Sequence, residues 1–152
     1  MQKVVIQLGS STIKGYLESP EQNTIEELLS SDACRVSGVI RVRRLDSDVV
    51  EAISTTDIKA IFYVTCFDGN SDHNPLNFHS GVSVVPGIWV RLKFVDGEVM
   101  EGIVSNSIRY LVDPGFFLRP TDPDSNNKLV YVVKSWLADH CVLGMRKLPA
   151  AR

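Results

Sequence analysis

The chain has 152 residues, with 44% hydrophobic and 22% charged residues and a formal net charge of -2. That balance suits a globular chain large enough to fold without covalent staples, and it excludes a whole-molecule basic field for nucleic acid. No run approaches the roughly 18 apolar residues of a membrane span, the stretch Val4–Leu8 is too short for a secretory leader, and three cysteines without a close pair (Cys34, Cys66, Cys141) argue against a disulfide framework and for the cytoplasm.

Val4, Ile6 and Leu8 alternate with Val5 and Gln7, the period of a strand. Gly9-Ser10-Ser11 is a turn signal and Thr12–Leu17 a return strand, so residues 2–17 predict a hairpin. Gly15 inside the return strand predicts a bulge or sharp bend. From Glu18 to Asp32 the pattern changes. Asn23 or Thr24 suits a helix cap, Glu26 and Glu27 suit a first turn, and Ile25, Leu28 and Leu29 share one face. A short helix is expected near residues 23–31.

Arg35–Leu45 alternates again, with Val36, Ile40 and Val42 on one parity and Arg35, Val39, Arg41 and Arg43 on the other. After the turn residues Asp46-Ser47-Asp48, a strand is expected over Val49–Ile53, a helical turn over Thr55–Ile58, and a strand over Ala60–Phe67. Residues 68–87, rich in Asp, Asn, Pro and Gly, read as a linker or excursion with a short strand near Leu76–Phe78. Strands are then expected over Trp89–Phe94 and Glu98–Val104, joined by the hairpin turn Asp96-Gly97. Further strands follow over Phe116–Arg119, Leu129–Val133 and His140–Leu143, with a helical turn at Ser135-Trp136-Leu137. Residues 146–152 read as a loose tail.

The second half repeats the grammar of the first. With Gly15 and Gly102 in register, Val4, Ile6 and Leu8 fall on Val90, Leu92 and Phe94. Val50–Ile53, a turn and Ile58–Val64 fall on Val130–Val133, a turn and Leu137–Leu143. Each half is thus a set of five short strands with one helical turn before the last, which predicts curling to protect its edges. The segment Val90–Gly102 and the helical turn before each last strand resemble the Sm-like small-barrel superfamily. The run from Phe116 to Asn127 is also similar to a family of small uncharacterised bacterial proteins. The first resemblance implies two tandem five-stranded antiparallel barrels, over residues 1–67 and 88–145, in a mainly β protein. The basic-Gly signature of RNA-binding Sm proteins is absent from both halves.

The chemistry-bearing residues are few. Arg41, Arg43 and Arg44 on one strand are candidates for a phosphate, nucleic-acid or cyclic-dinucleotide patch, set against a solvated face paired with Glu51 or Asp48. A PilZ-type receptor would need an arginine pair before a barrel and an Asp/Asn-x-Ser-x-x-Gly strand, and neither occurs. Asp68, Asn70 and Asp72, and Asp122, Asp124 and Asn126, start like calcium loops, but His73, His79, Asn127 and Val133 stand where Gly and Glu are required. Cys66, His73 and His79 match no zinc spacing. Trp89, Trp136 and Phe116-Phe117 are core volume or an aromatic ligand face, Trp136 being the strongest candidate for the second. No nucleophile elbow or phosphate loop occurs. The sequence therefore predicts a non-enzymatic module without cofactor, metal or membrane, acting on a protein partner or on itself, with nucleic-acid or nucleotide binding through Arg41, Arg43 and Arg44 as the alternative and an enzyme using residues of the 68–79 loop as a third reading.

Overall fold

Alternating apolar side chains set most of the strands, and a computed structural model shows how they pair; it describes residues 2–18, 39–67, 87–106, 108–121 and 126–146. The first half holds β1 (Lys3–Leu8), β2 (Thr12–Glu18), β3 (Val39–Arg44), β4 (Val50–Ser54) and β5 (Ile58–Val64). The second holds β6 (Gly87–Phe94), β7 (Val99–Val104), β8 (Gly115–Pro120), β9 (Asn127–Val133) and β10 (Leu137–Arg146). A five-residue helix, α1 (Ile108–Val112), joins β7 to β8, and the sequence reading had no counterpart for it. The expected helix near residues 23–31, the strand near Leu76–Phe78 and the tail beyond residue 146 lie outside the described residues.

The two expected closed barrels are corrected to one open, antiparallel ten-stranded sheet, in the order β10-β6-β7-β8-β9-β5-β1-β2-β3-β4. The fifth strand of the first half pairs with the fourth strand of the second, from Ala60 opposite Val132 to Tyr63 opposite Leu129. The cause lies in these two strands. β5 is buried at every position and β9 at its last five. A strand that is apolar on both faces needs cover on both faces. A separate barrel would turn one of them to water.

Each half nevertheless keeps the same strand order and curls. β4 and β5 lie at opposite ends of the first half, about 19 Å apart were the sheet flat, yet only the 3-10 turn Thr55–Asp57 connects them. Such a turn covers about 6 Å, so the half must bend until its ends meet. Lys134–Trp136 imposes the same bend between β9 and β10. Two cores result. Val4, Ile6, Ile13, Val42, Ile61 and Tyr63 lie in the first, and Phe62, Val90, Leu92, Phe94, Leu118 and Val132 in the second.

Pairing registers repeat between the halves: Val4 opposite Gly15 matches Val90 opposite Gly102, and Ile6 opposite Ile61 matches Leu92 opposite His140. Val42 opposite Glu51 matches Leu118 opposite Val130. The fourth strands therefore correspond as Val50–Ile53 with Leu129–Val132, one residue earlier than the sequence pattern suggested. A slip of one exchanges the two faces of a strand, and both faces of β9 are apolar, so hydropathy alone did not fix it.

Candidate functional site

The arginine strand is the first site that the sequence singles out. Arg43 donates from Nε to Glu18 Oε1 at 2.9 Å, and its Nη1 lies 3.5 Å from Asp48 Oδ1. Arg44 forks onto both oxygens of Asp46 at 3.0 Å and reaches Glu51 Oε2 at 2.8 Å. The carboxylate of Glu18 holds the Arg43 guanidinium above its ordinary pKa, Asp46 and Glu51 do the same for Arg44, and Arg44 holds Asp46 below the usual carboxylate range. Arg41 is exposed and has no ion pair among the described residues. Two of the three guanidinium groups are thus occupied by acids on β2, β4 and the β3–β4 turn.

Trp136 is placed by its contacts with the rest of the chain. It sits in the turn before β10, half-buried, and packs against both cores. A Cβ on Gly9, in the β1–β2 turn, would lie 3.0 Å from Trp136 Cη2. Its carbonyl accepts the Val95 N–H at 2.8 Å. Phe116 and Phe117 point to opposite cores, as neighbours on a strand must.

Lys59 was not anticipated. Gln7 faces Ala60 while Leu8 faces Ile58, so Lys59 is the extra residue of a bulge in β5. Bulges re-aim side chains, and this one sends the ammonium across to the second half. The Lys59 side chain is 4% exposed; Nζ donates to Asp96 Oδ2 at 2.7 Å and Glu98 Oε2 at 2.5 Å. It also lies 4.7 Å from the centroid of the Phe94 ring. The available sequence signal was one charged residue inside an otherwise apolar strand.

A polar cluster closes one end of the second core. The Tyr110 hydroxyl hydrogen-bonds His140 Nε2, Phe116 stacks on the imidazole at 6.2 Å between centroids, and Tyr110 meets Phe116 edge-on at 5.0 Å. Burial pushes His140 below its ordinary pKa, favouring the neutral ring. Cys141 turns to the other face of β10 and is exposed.

Beyond these groups, the sheet has two ends. Among the described residues β4 pairs only with β3, and β10 only with β6. Both ends carry exposed apolar side chains: Val39, Val49 and Val50 at one, Val142 and Met145 at the other. On α1, Ile108, Leu111 and Val112 are also exposed.

Residues 1–144 match a family whose description reads "Family of unknown function (DUF6982)". The chain belongs to that family. No curated protein and no solved structure matches it. In this DUF6982 member, no described helix is long and apolar enough to cross a membrane. Nor do the described residues contain a group of three or more His, Cys, Asp or Glu arranged for a metal ion. His73, His79, Asp68, Asp122 and Asp124 lie outside the described residues. Within them, Cys66 is held by Asn126, whose Oδ1 accepts the Cys66 N–H at 3.0 Å.

Proposed function

We propose that the chain is a non-enzymatic protein-binding or assembly module of the bacterial cytoplasm, whose two five-stranded repeats, similar in strand order to Sm-like units, share one open sheet. The observation that carries this reading is the β5–β9 junction. There a fifth strand and a fourth strand, both largely buried, pair with one another, and the same two kinds of strand each have one edge without a partner at the sheet ends among the described residues. Open sheet edges recruit other chains by main-chain hydrogen bonding.

The test is copurification from the native host. Wild-type protein is compared with Val50→Lys at the β4 edge and Val142→Lys at the β10 edge, each checked for native circular dichroism. The expected result is a stoichiometric partner that at least one edge variant loses about tenfold or more. A partner retained by both variants overturns edge recognition.

The nucleic-acid alternative draws less support, because Glu18, Asp46 and Glu51 already hold Arg43 and Arg44. A patch that neutralised phosphates would show affinity falling steeply with added salt. The expected outcome in a filter-binding series is no such dependence, and no change on substituting Arg41→Glu and Arg43→Glu together. Tight, salt-sensitive binding that this pair abolishes would reverse the ranking.

A further inference from the structure

We infer that the outer edge of β10 docks an extended strand from a partner protein, one whose side chains alternate apolar and basic. This rests on the protein-binding reading and names the chemistry of the partner.

The internal junction shows what such an edge lacks. Ile61 and Tyr63 on β5 are 1% and 3% exposed, in one cluster with Leu129 and Tyr131 of β9. By register, His140 and Val142 occupy the same places on β10. Val142 is 56% exposed. His140 is covered on one side by Tyr110 and Phe116. The helix that supplies Tyr110 also exposes Ile108, Leu111 and Val112. The rim of the second core thus has the apolar side chains of a strand site, and no strand covers it among the described residues.

The other face of β10 sets the charge. Ala60 and Phe62 on β5 meet Val132 and Val130; their counterparts on β10 are Asp139 and Cys141, both exposed. Lys93 of β6 faces Asp139 on its inner side. Among the described residues no strand pairs with the outer side, and opposite charges directly across a ladder stabilise pairing. An occupant therefore places apolar residues opposite His140 and Val142 and a basic residue opposite Asp139.

A second copy of this chain fits poorly. In the register of the internal junction its β4 would set Ile53 and Glu51 opposite Asp139 and Cys141. Both clamps of that junction would also be missing: Ala138 stands at the bulge where β5 has Lys59, and exposed Asp57 stands where the second half has Trp136.

Fluorescence anisotropy of the full chain tests this. The probe is a labelled seven-residue peptide with Val, Tyr, Val and Val at odd positions and Lys at even ones. Two controls replace every Lys by Glu, or gather the apolar residues into one block. The alternating Lys peptide is expected to bind about tenfold more tightly than either control. Asp139→Lys should reverse the preference between Lys and Glu peptides, Val142→Asp should abolish binding, and Val50→Asp should leave it unchanged. Equal binding of Lys and Glu peptides, loss with Val50→Asp, or no peptide binding overturns the inference. So does self-association that Val142→Asp dissolves, or binding that emerges only when residues 147–152 are removed, since the occupant is then this chain itself. If the peptides fail while a partner still copurifies, this inference falls alone; if nothing copurifies either, the binding reading falls with it.

Discussion

Replacing Gly15 by alanine lowers stability by about 3 kcal/mol, at the upper end of overpacking costs in a close-packed interior. A Cβ at this position would lie 2.2 Å from the carbonyl oxygen of Arg43 and 2.9 Å from its carbonyl carbon. Those atoms are backbone of β3, so no side chain can rotate away; the β2–β3 ladder has to open. Gly15 is also paired on both sides, with Val4 and with Arg44, so relief on one side strains the other. Gly102 holds the same place in the second half, where a Cβ would meet Arg119 O at 2.6 Å and Leu118 Cγ at 2.5 Å. For a chain of this size the loss corresponds to a thermal midpoint lower by about 10 °C. The internal control is Gly144→Ala on β10, where a Cβ meets nothing within 4 Å. That change should stay within about 0.5 kcal/mol. Equal effects at Gly15 and Gly144 would remove the close approach of β2 and β3 as an explanation.

This contrast shows where hydropathy and glycine placement inform and where they stop. Gly15 and Gly102 announced a corner in each half, but not its form. The ladder runs through both glycines without a register shift, and what they permit is close approach rather than a bulge. Strands with one wet face, such as β3 with Ile40 and Val42 inside and Val39 and Arg41 outside, were read correctly by alternation. β5 and β9 carry nearly unbroken apolar runs, which mark burial on both sides and do not name the neighbour. That ambiguity is why separate barrels were expected and a shared sheet is found. α1 escaped notice because its five residues are too few for a helical period to register. The arginines were legible as residues, but their occupancy was not, since Glu18 reaches Arg43 from a strand distant in sequence. Lys59 was overlooked because its partners, Asp96 and Glu98, looked like an ordinary hairpin-turn residue and the first residue of the return strand. Their role depends on the junction that hydropathy could not identify.

Removing that lysine tests the junction itself. Lys59→Ala should cost about 2 kcal/mol, below the full penalty for breaking a buried ion pair because both acids retain water; Asp96 and Glu98 are 47% and 40% exposed. Lys59→Met should cost less, since it keeps the apolar stem against Phe94 and avoids a buried charge. The pH dependence separates the ion pair from simple packing. Burial lowers the Lys59 pKa, but the hydrogen bonds and charges of Asp96 and Glu98 outweigh it, and the net shift is upward. A raised folded value means that this contribution is whole below the unfolded pKa of about 10.4 and is lost as pH rises through the folded value. Asp96 is held below its ordinary value, first by the Lys59 hydrogen bond and then by the Glu98 N–H. Its contribution is whole above the unfolded pKa of about 3.9 and is lost as pH falls through the folded value. The clamp is therefore intact from about pH 4 to pH 10, and the urea midpoint of the wild type should decline beyond both limits. Lys59→Met should lose the alkaline decline and shrink the acid one, leaving a flatter profile. If the alkaline decline persists in Lys59→Met, another group titrates there, and the attraction that draws the β6–β7 turn onto β5 must be assigned to packing on Phe94 alone.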